Sequence, residues 1–176
     1  MTINLHYPPT YETINDHEPL LFLAGPIQGA PDWQKYATNT IRGLSSAYDI
    51  KSSLHIANPR REYLDRKFDY YAQVDWEKYH LKRAAQRGGI LVWFAAQDHS
   101  LPYEEGREYA KTTKDELTRV IGWLDYNPNI NVVVGIEPGF KSINRYKMTC
   151  LEEYNLGEYT DLDLACNALV KSMTER

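Results

Sequence analysis

Short apolar runs alternate along this chain with longer stretches of helical periodicity. Leu20–Ala24 (LLFLA), Leu54–Ala57 (LHIA), Ile90–Phe94 (ILVWF) and Asn131–Ile136 (NVVVGI) are apolar almost throughout. Runs of that length, bounded by Gly, Pro or Asn, predict strands buried on both faces. Between them the apolar positions recur three and four apart. Trp33, Tyr36, Ala37, Thr40, Ile41, Leu44 and Tyr48 predict a first helix, with Asp32 as its N-cap. A second, from about Tyr70 to Gln86, carries Tyr70, Val74, Glu77, Leu81, Ala84 and Ala85 on one stripe and is broken by Gly88-Gly89. Glu77 is out of place there, because a carboxylate on an apolar face is rare unless paired. A third helix starts near Thr113 with Leu117, Val120, Ile121 and Leu124, and a fourth runs from Asp161 to about Met173. A fifth strand is expected between Tyr146 and Tyr159. Residues 1–18 lack periodicity and read as an extended arm.

This alternation predicts one α/β domain over residues 1–176, with about five parallel strands covered by helices on both faces. Ligands bind such sheets beyond the carboxyl ends of the strands. Those ends deliver GPIQG, NPRR, the long AAQDHSLPYEEG connection with TTKDE, and EPGF. The connection from Ala95 to Thr113 is too long to be routine, and loops of that kind are usually functional or mobile. The convergence of unusual residues on one edge predicts a pocket.

Composition narrows the class of ligand. The chain has 176 residues, a net charge of −4 and no long basic run, which argues against a nucleic-acid polymer as partner. Hydrophobic residues at 43% and charged residues at 25% are ordinary for a globular protein. The 14 Tyr and 4 Trp suit small-molecule pockets and interfaces as well as cores. No segment reaches the ~18 apolar residues of a membrane span, and the opening has no apolar leader, so a cytoplasmic, reduced protein is expected. Cys150 and Cys166 lack metal-ligand spacing, and no metal or cofactor is expected.

Several residues at the predicted edge carry chemistry. Gly25, Pro26 and Ile27 could let a ligand approach the backbone closely, although a plain strand-ending turn is the better-supported local reading. Asn58-Pro59-Arg60-Arg61 is a rigid turn with two cations; Arg60 or Arg61 could grip an anion or pair with Glu77. Trp93 and Phe94 offer flat faces to an aromatic ring or to the core. Thr113 and Glu116 have the spacing of a capping box, the better-supported local reading of that stretch. Glu116 also falls on the border of its helical stripe and in the expected first turn, where the helix dipole would keep it ionised. An ionised, partly buried carboxylate beside a pocket is what covalent attack on a sugar carbon requires.

In their order and spacing, LFLAGPI, Trp33, NPRR, QVDWE and ILVWF resemble the nucleoside 2-deoxyribosyltransferase family, in its FLAGPI/NPRR branch. The resemblance runs from about Leu20 to Met148. It implies a flavodoxin-like three-layer fold, a homo-oligomer, and cleavage of the N-glycosidic bond of a nucleoside or its 5′-monophosphate. The family nucleophile is the Glu of an E-L-G motif, and Glu116 in ELT takes that place. Glu104 in EEG keeps the Gly but lies much further ahead of Val132, and stands in reserve. Asn144 in KSIN matches a family Asn that reaches a neighbouring subunit's sugar. Two departures stand out. Thr118 replaces the Gly and is expected to crowd the site. Arg87-Gly88-Gly89 stands where an Asp that handles the base is usual, which leaves Asp98 or His99 as the candidate proton donor. If the substrate carries a 5′-phosphate, Arg60 or Arg61 is the expected partner. Hydrolysis without base exchange, and nucleotide binding without catalysis, remain alternatives.

Overall fold

A computed structural model describes residues 2–48, 50, 53–60, 69–141 and 152–175. Its strands are β1 (Ile3–His6), β2 (Leu20–Ala24), β3 (Leu54–Ala57), β4 (Gly88–Phe94), β5 (Val132–Ile136) and β6 (Glu158–Tyr159). The helices are α1 (Trp33–Ala47), α2 (Tyr70–Arg87), α3 (Lys111–Leu124) and α4 (Leu162–Thr174). All six strands pair in parallel, in the order β1-β3-β2-β4-β5-β6. Without the edge strand β1 this is the 2-1-3-4-5 order of flavodoxin-like folds. The chain reverses direction across the sheet between β2 and β4, so a crevice opens at their carboxyl ends.

Residues on alternate faces of the strands build two cores. Leu20, Phe22, Ile90 and Val92 pack with Trp76 and Leu81 of α2 and Leu117 and Val120 of α3. Leu21, Leu23, Leu91 and Val133 pack with Ile41 of α1 and Leu169 of α4 on the other face. Every residue of β2, β3 and β5 is buried, as continuous apolar runs require when helices cover both sides. Side-chain caps set three helix starts: Asp32 accepts from Lys35 N, Asp69 from Ala72 N and Asp161 from Leu164 N.

Three expectations change. The arm over residues 1–18 contains a sixth strand: Ile3–His6 pairs in register with Leu54–Ala57. Three half-buried residues and one buried histidine on a sheet edge carry too short a pattern to read. Gly88-Gly89 ends α2 as expected but belongs to β4, which starts at Gly88 and not at Ile90, because the helix passes directly into the strand. A Cβ on Gly88 would lie 1.9 Å from the Leu20 carbonyl oxygen, so only glycine fits that crossing. Finally, Tyr70 leaves the predicted stripe and is 60% exposed; the buried face of α2 runs through Gln73, Trp76, His80, Leu81 and Ala84.

Candidate functional site

A cavity of about 360 Å³ opens at the carboxyl end of the sheet, on the α2/α3 face. Its volume falls in the ~300–1,000 Å³ range usual for small-molecule sites. The loop after β2 forms one wall with Gly25, Pro26, Ile27 and Gln28, and Pro59 after β3 adds to it. Gln73 and Glu77 project from α2, and Glu116 from α3. Tyr103, Arg107 and Lys111 lie on the wall formed by the long connection and the start of α3.

The β2 loop is held from behind. Trp33 Nε1 donates to the Pro26 carbonyl at 2.9 Å. Arg60 donates through Nη2 to the carbonyls of Ile27 (3.0 Å) and Pro31 (2.9 Å), and through Nε to Gln34 Oε1 (2.9 Å). Asn58, buried, positions that arginine by accepting from the Arg60 backbone N–H at 2.9 Å. Arg60 is therefore a staple for the loop and does not pair with Glu77 or line the cavity. A Cβ on Gly25 would meet the Trp33 ring at 2.2 Å, so packing alone requires glycine at this position of the cavity wall.

The long connection is fastened as well. Arg107 Nη1 donates to Gln28 Oε1 (2.9 Å), Tyr109 Oη to the Ala95 carbonyl (3.0 Å), and Asp98 N to the Gly29 carbonyl (2.8 Å). Asp98 turns its carboxylate onto Ser100, accepting from the hydroxyl at 2.6 Å and the backbone N–H at 2.9 Å. Those bonds lower its pKa below the ordinary aspartate value. Asp98 is thus a poor proton donor, and it lies off the cavity wall. Glu104 and His99 are exposed and also off that wall.

Glu116 lies in the second turn of α3. The helix starts at Lys111 behind Ala110, whose φ of 56° is left-handed, and no side chain caps it. The capping box is therefore absent: Thr113 is already inside the helix, and Lys114 N bonds back to the Ala110 carbonyl. The expected ionising pull of the first-turn amides is lost with it. Instead the Glu116 pKa is raised well above the ordinary carboxylate value, first by desolvation and then by the Glu77 carboxylate, against a smaller opposing effect of Arg119. Part of Glu116 reaches the cavity, yet the protein packed around it outweighs that exposure. Glu77 is raised too, by burial, while Gln73 Nε2 donates to its Oε1 at 2.6 Å and moderates the rise. Gln73 Nε2 also donates to the Pro59 carbonyl at 3.1 Å. Thr118 does not crowd the site. It is exposed and donates back to the Lys114 carbonyl at 2.9 Å.

Two expected ring-binding residues belong elsewhere. Phe94 is fully buried against Phe140, with ring centroids 5.0 Å apart. Trp93 is buried on the opposite face, where it borders a second cleft with Trp33, Glu137 and Asp163. Glu137 and Pro138 of EPGF turn to that side as well, while Phe140 stays in the α2/α3 core, and Glu137 Oε2 accepts from Ala96 N at 2.6 Å. The strand ends do converge on one edge, but the sheet divides them between two clefts. Arg61 and Asn144 lie outside the described residues.

Sequence reasoning missed Gln73, Tyr103, Arg107 and Lys111. Only Gln73 left a usable signal, four residues before Glu77 and so on the same side of α2. No protein-family model matches the chain, and no curated protein matches it in sequence. Among the described residues, no helix is long and apolar enough to cross a membrane.

Proposed function

We propose that the protein cleaves the N-glycosidic bond of a 2′-deoxynucleoside or its 5′-monophosphate through a covalent glycosyl–Glu116 intermediate. The observation that carries this reading is the pairing of Glu116 with Glu77 on one cavity at the switch point of the sheet. Two carboxyl groups whose surroundings hold a proton between them are the working parts of retaining glycoside cleavage. The FLAGPI, NPRR and QVDWE motifs, and the ELT position of Glu116, support the choice of a nucleoside over another glycoside.

In the first step a Glu116 carboxylate oxygen bonds to C1′ as the C1′–N bond breaks, and the electron pair leaves with the base, which takes up a proton. In the second, a nitrogen of another free base attacks C1′ and Glu116 departs as carboxylate. Water in place of the second base gives hydrolysis. The motif resemblance also supports a homo-oligomer, which light scattering of the purified chain tests.

The direct experiment incubates the protein with deoxynucleosides and monophosphates, each with a second free base, and separates the products by chromatography. A new nucleoside is expected, with a glycosyl adduct on the peptide containing Glu116 in acid-quenched samples. Glu116→Gln is expected to lower turnover at least ~1,000-fold, in line with loss of a group the transition state depends on. Turnover unchanged in that variant removes Glu116 as nucleophile. Binding without turnover across the whole panel leaves a nucleotide-binding protein instead.

A further inference from the structure

We infer that Glu77 and Glu116 work as a one-proton pair, in which Glu77 takes the proton from Glu116 and then delivers it to the departing base. The inference rests on the reading of Glu116 as nucleophile and adds the residue that activates it and supplies the acid.

The geometry comes first. Glu77 and Glu116 project into the same cavity from facing helices, α2 and α3. Glu77 is fixed there: Gln73, one turn earlier, donates one amide hydrogen to its Oε1 at 2.6 Å and another to the Pro59 carbonyl at 3.1 Å. Gln73 is itself more than nine-tenths buried, and its Oε1 has no partner. That amide is thus oriented by Pro59 and Glu77 alone. The alternative acid, Asp98, is committed to Ser100 and lies outside the cavity wall.

The charges agree. Burial disfavours ionisation of both carboxyls, and the Glu77 carboxylate further raises Glu116. Gln73 donates to Glu77 and so favours its anion. Of the two carboxyls, Glu116 is therefore the one that holds a proton more readily. Other charged or titratable groups on the cavity wall are Tyr70 of α2, Tyr103, Arg107 and Glu108 of the connection, and Lys111 of α3. Within α3, Arg119 and Asp115 act on Glu116 in opposite senses. Arg107 is tied to Gln28.

A proton on Glu116 beside a Glu77 carboxylate is unproductive, since it blocks the nucleophile. Moving the proton across the cavity yields Glu116 carboxylate and Glu77 acid. Glu116 then bonds to C1′, the C1′–N bond breaks, and the proton on Glu77 passes to the base nitrogen that receives the electron pair. Glu77 ends as carboxylate, ready to take a proton from the incoming base or water in the second step. No other reactant is needed, and a pair of this kind titrates as a unit.

The test compares two substrates in Glu77→Gln. With a natural deoxynucleoside, kcat is expected to fall at least ~100-fold, the usual contribution of a general acid. With 4-nitrophenyl 2-deoxyriboside, whose phenolate leaves unprotonated, kcat should stay within about fivefold of wild type. The acid limb and the alkaline limb of the kcat/KM profile should no longer form a bell. A second readout needs no turnover: ¹³C NMR of the glutamate carboxyls should show the Glu116 titration moving to lower pH in Glu77→Gln. If that variant does not fold, Glu77→Asp and the coupled two-step titration of the wild-type pair serve the same purpose. Equal loss on both substrates, or a Glu116 titration that does not move, overturns the pair. Full activity of Glu77→Gln beside an inactive Glu116→Gln overturns it while leaving the nucleophile in place. Activity in Glu116→Gln instead removes the underlying reading.

Discussion

One helix, α2, carries two buried ionisable side chains three residues apart, and the molecule treats them in opposite ways. Glu77 faces a cavity. His80 faces the sealed edge of the sheet, where His6 of β1 lies between it and His55 of β3. His6 Nε2 and His55 Nδ1 are 2.7 Å apart and share a hydrogen bond. His80 Nδ1 bonds the Trp76 carbonyl at 2.9 Å, and Tyr11 stacks on its ring with centroids 5.8 Å apart. The N-terminal arm closes over this cluster, held by Trp76 Nε1 on the Thr10 carbonyl (2.8 Å) and Arg83 on the Asn15 carbonyl (2.7 Å). Both sites disfavour charge. His6 and His55 do so by bonding each other, and His80 by bonding a backbone carbonyl, within a closed edge, so their role is structural. The carboxyls do so while opening onto a void large enough for a ligand, which is where perturbed groups point to chemistry.

The largest effect expected from this contrast is acid instability. Burial lowers the pKa of His6 and His55 and takes His80 from 6.5 to about 4. The folded protein keeps these rings neutral, while the unfolded chain protonates near pH 6.5. Stability is therefore lost as pH falls through that window, with the nearby Glu12 and Glu18 carboxylates opposing the loss. The loss from His80 alone between pH 6.5 and 4 is about 3 kcal/mol, since each tenfold difference in proton affinity between the folded and unfolded chain is worth ~1.4 kcal/mol. Denaturant midpoints at pH 7 and 4.5 measure it, and His80→Leu should flatten the slope. A midpoint independent of pH would show that the cluster is not held neutral.

Next in size is Arg60→Ala, expected to cost about 1 kcal/mol because the half-buried and exposed carbonyls of Ile27 and Pro31 lose their shared donor. The variant should leave the titration of Glu77 unmoved, since Arg60 spends its donors on Gln34, Ile27 and Pro31. A shift in Glu77 would put a cation back beside the carboxyl pair and weaken the contrast with the histidines.

Glu116→Gln gives a smaller effect of the opposite pH sense. A carboxyl whose folded pKa is raised costs stability above its unfolded value near 4.5, and the cost grows until the folded group ionises. The glutamine variant should therefore melt a few degrees higher than wild type at pH 8 and indistinguishably at pH 4. Stability gained with activity lost is the signature of a strained functional site. A lower melting temperature at pH 8 would make Glu116 a structural residue like His80.

The contrast also explains what the sequence could reveal. Buried parallel strands announce themselves because LLFLA and ILVWF have no polar face, and the α1 and α3 stripes repeat over three or more turns. β1 was illegible because INLH is half-buried at an edge and pairs only with residues some fifty positions away. Glu77 was visible as an anomaly, yet pairing it with Arg60 was the wrong inference: local spacing cannot tell that Arg60 folds back over GPIQG. Spacing likewise read TTKDE as a capped first turn, whereas a left-handed Ala110 begins the helix earlier. The histidine cluster assembles residues 6, 55 and 80 from three elements, and no linear pattern records such a meeting.

The smallest effect is the most discriminating for the carboxyl pair. Asp98 occupies the connection where a donor to the leaving base was expected, but its carboxylate is spent on the Ser100 turn. Asparagine retains an Oδ1 that can accept from the Ser100 N–H and hydroxyl, so the turn survives the substitution. Asp98→Asn should leave kcat on a natural deoxynucleoside within about twofold of wild type and both limbs of its pH profile in place. A loss approaching the ~100-fold share of a general acid would return that role to the loop. Glu77 would then resemble His80 after all, a neutral buried group whose task is to hold α2 against the sheet.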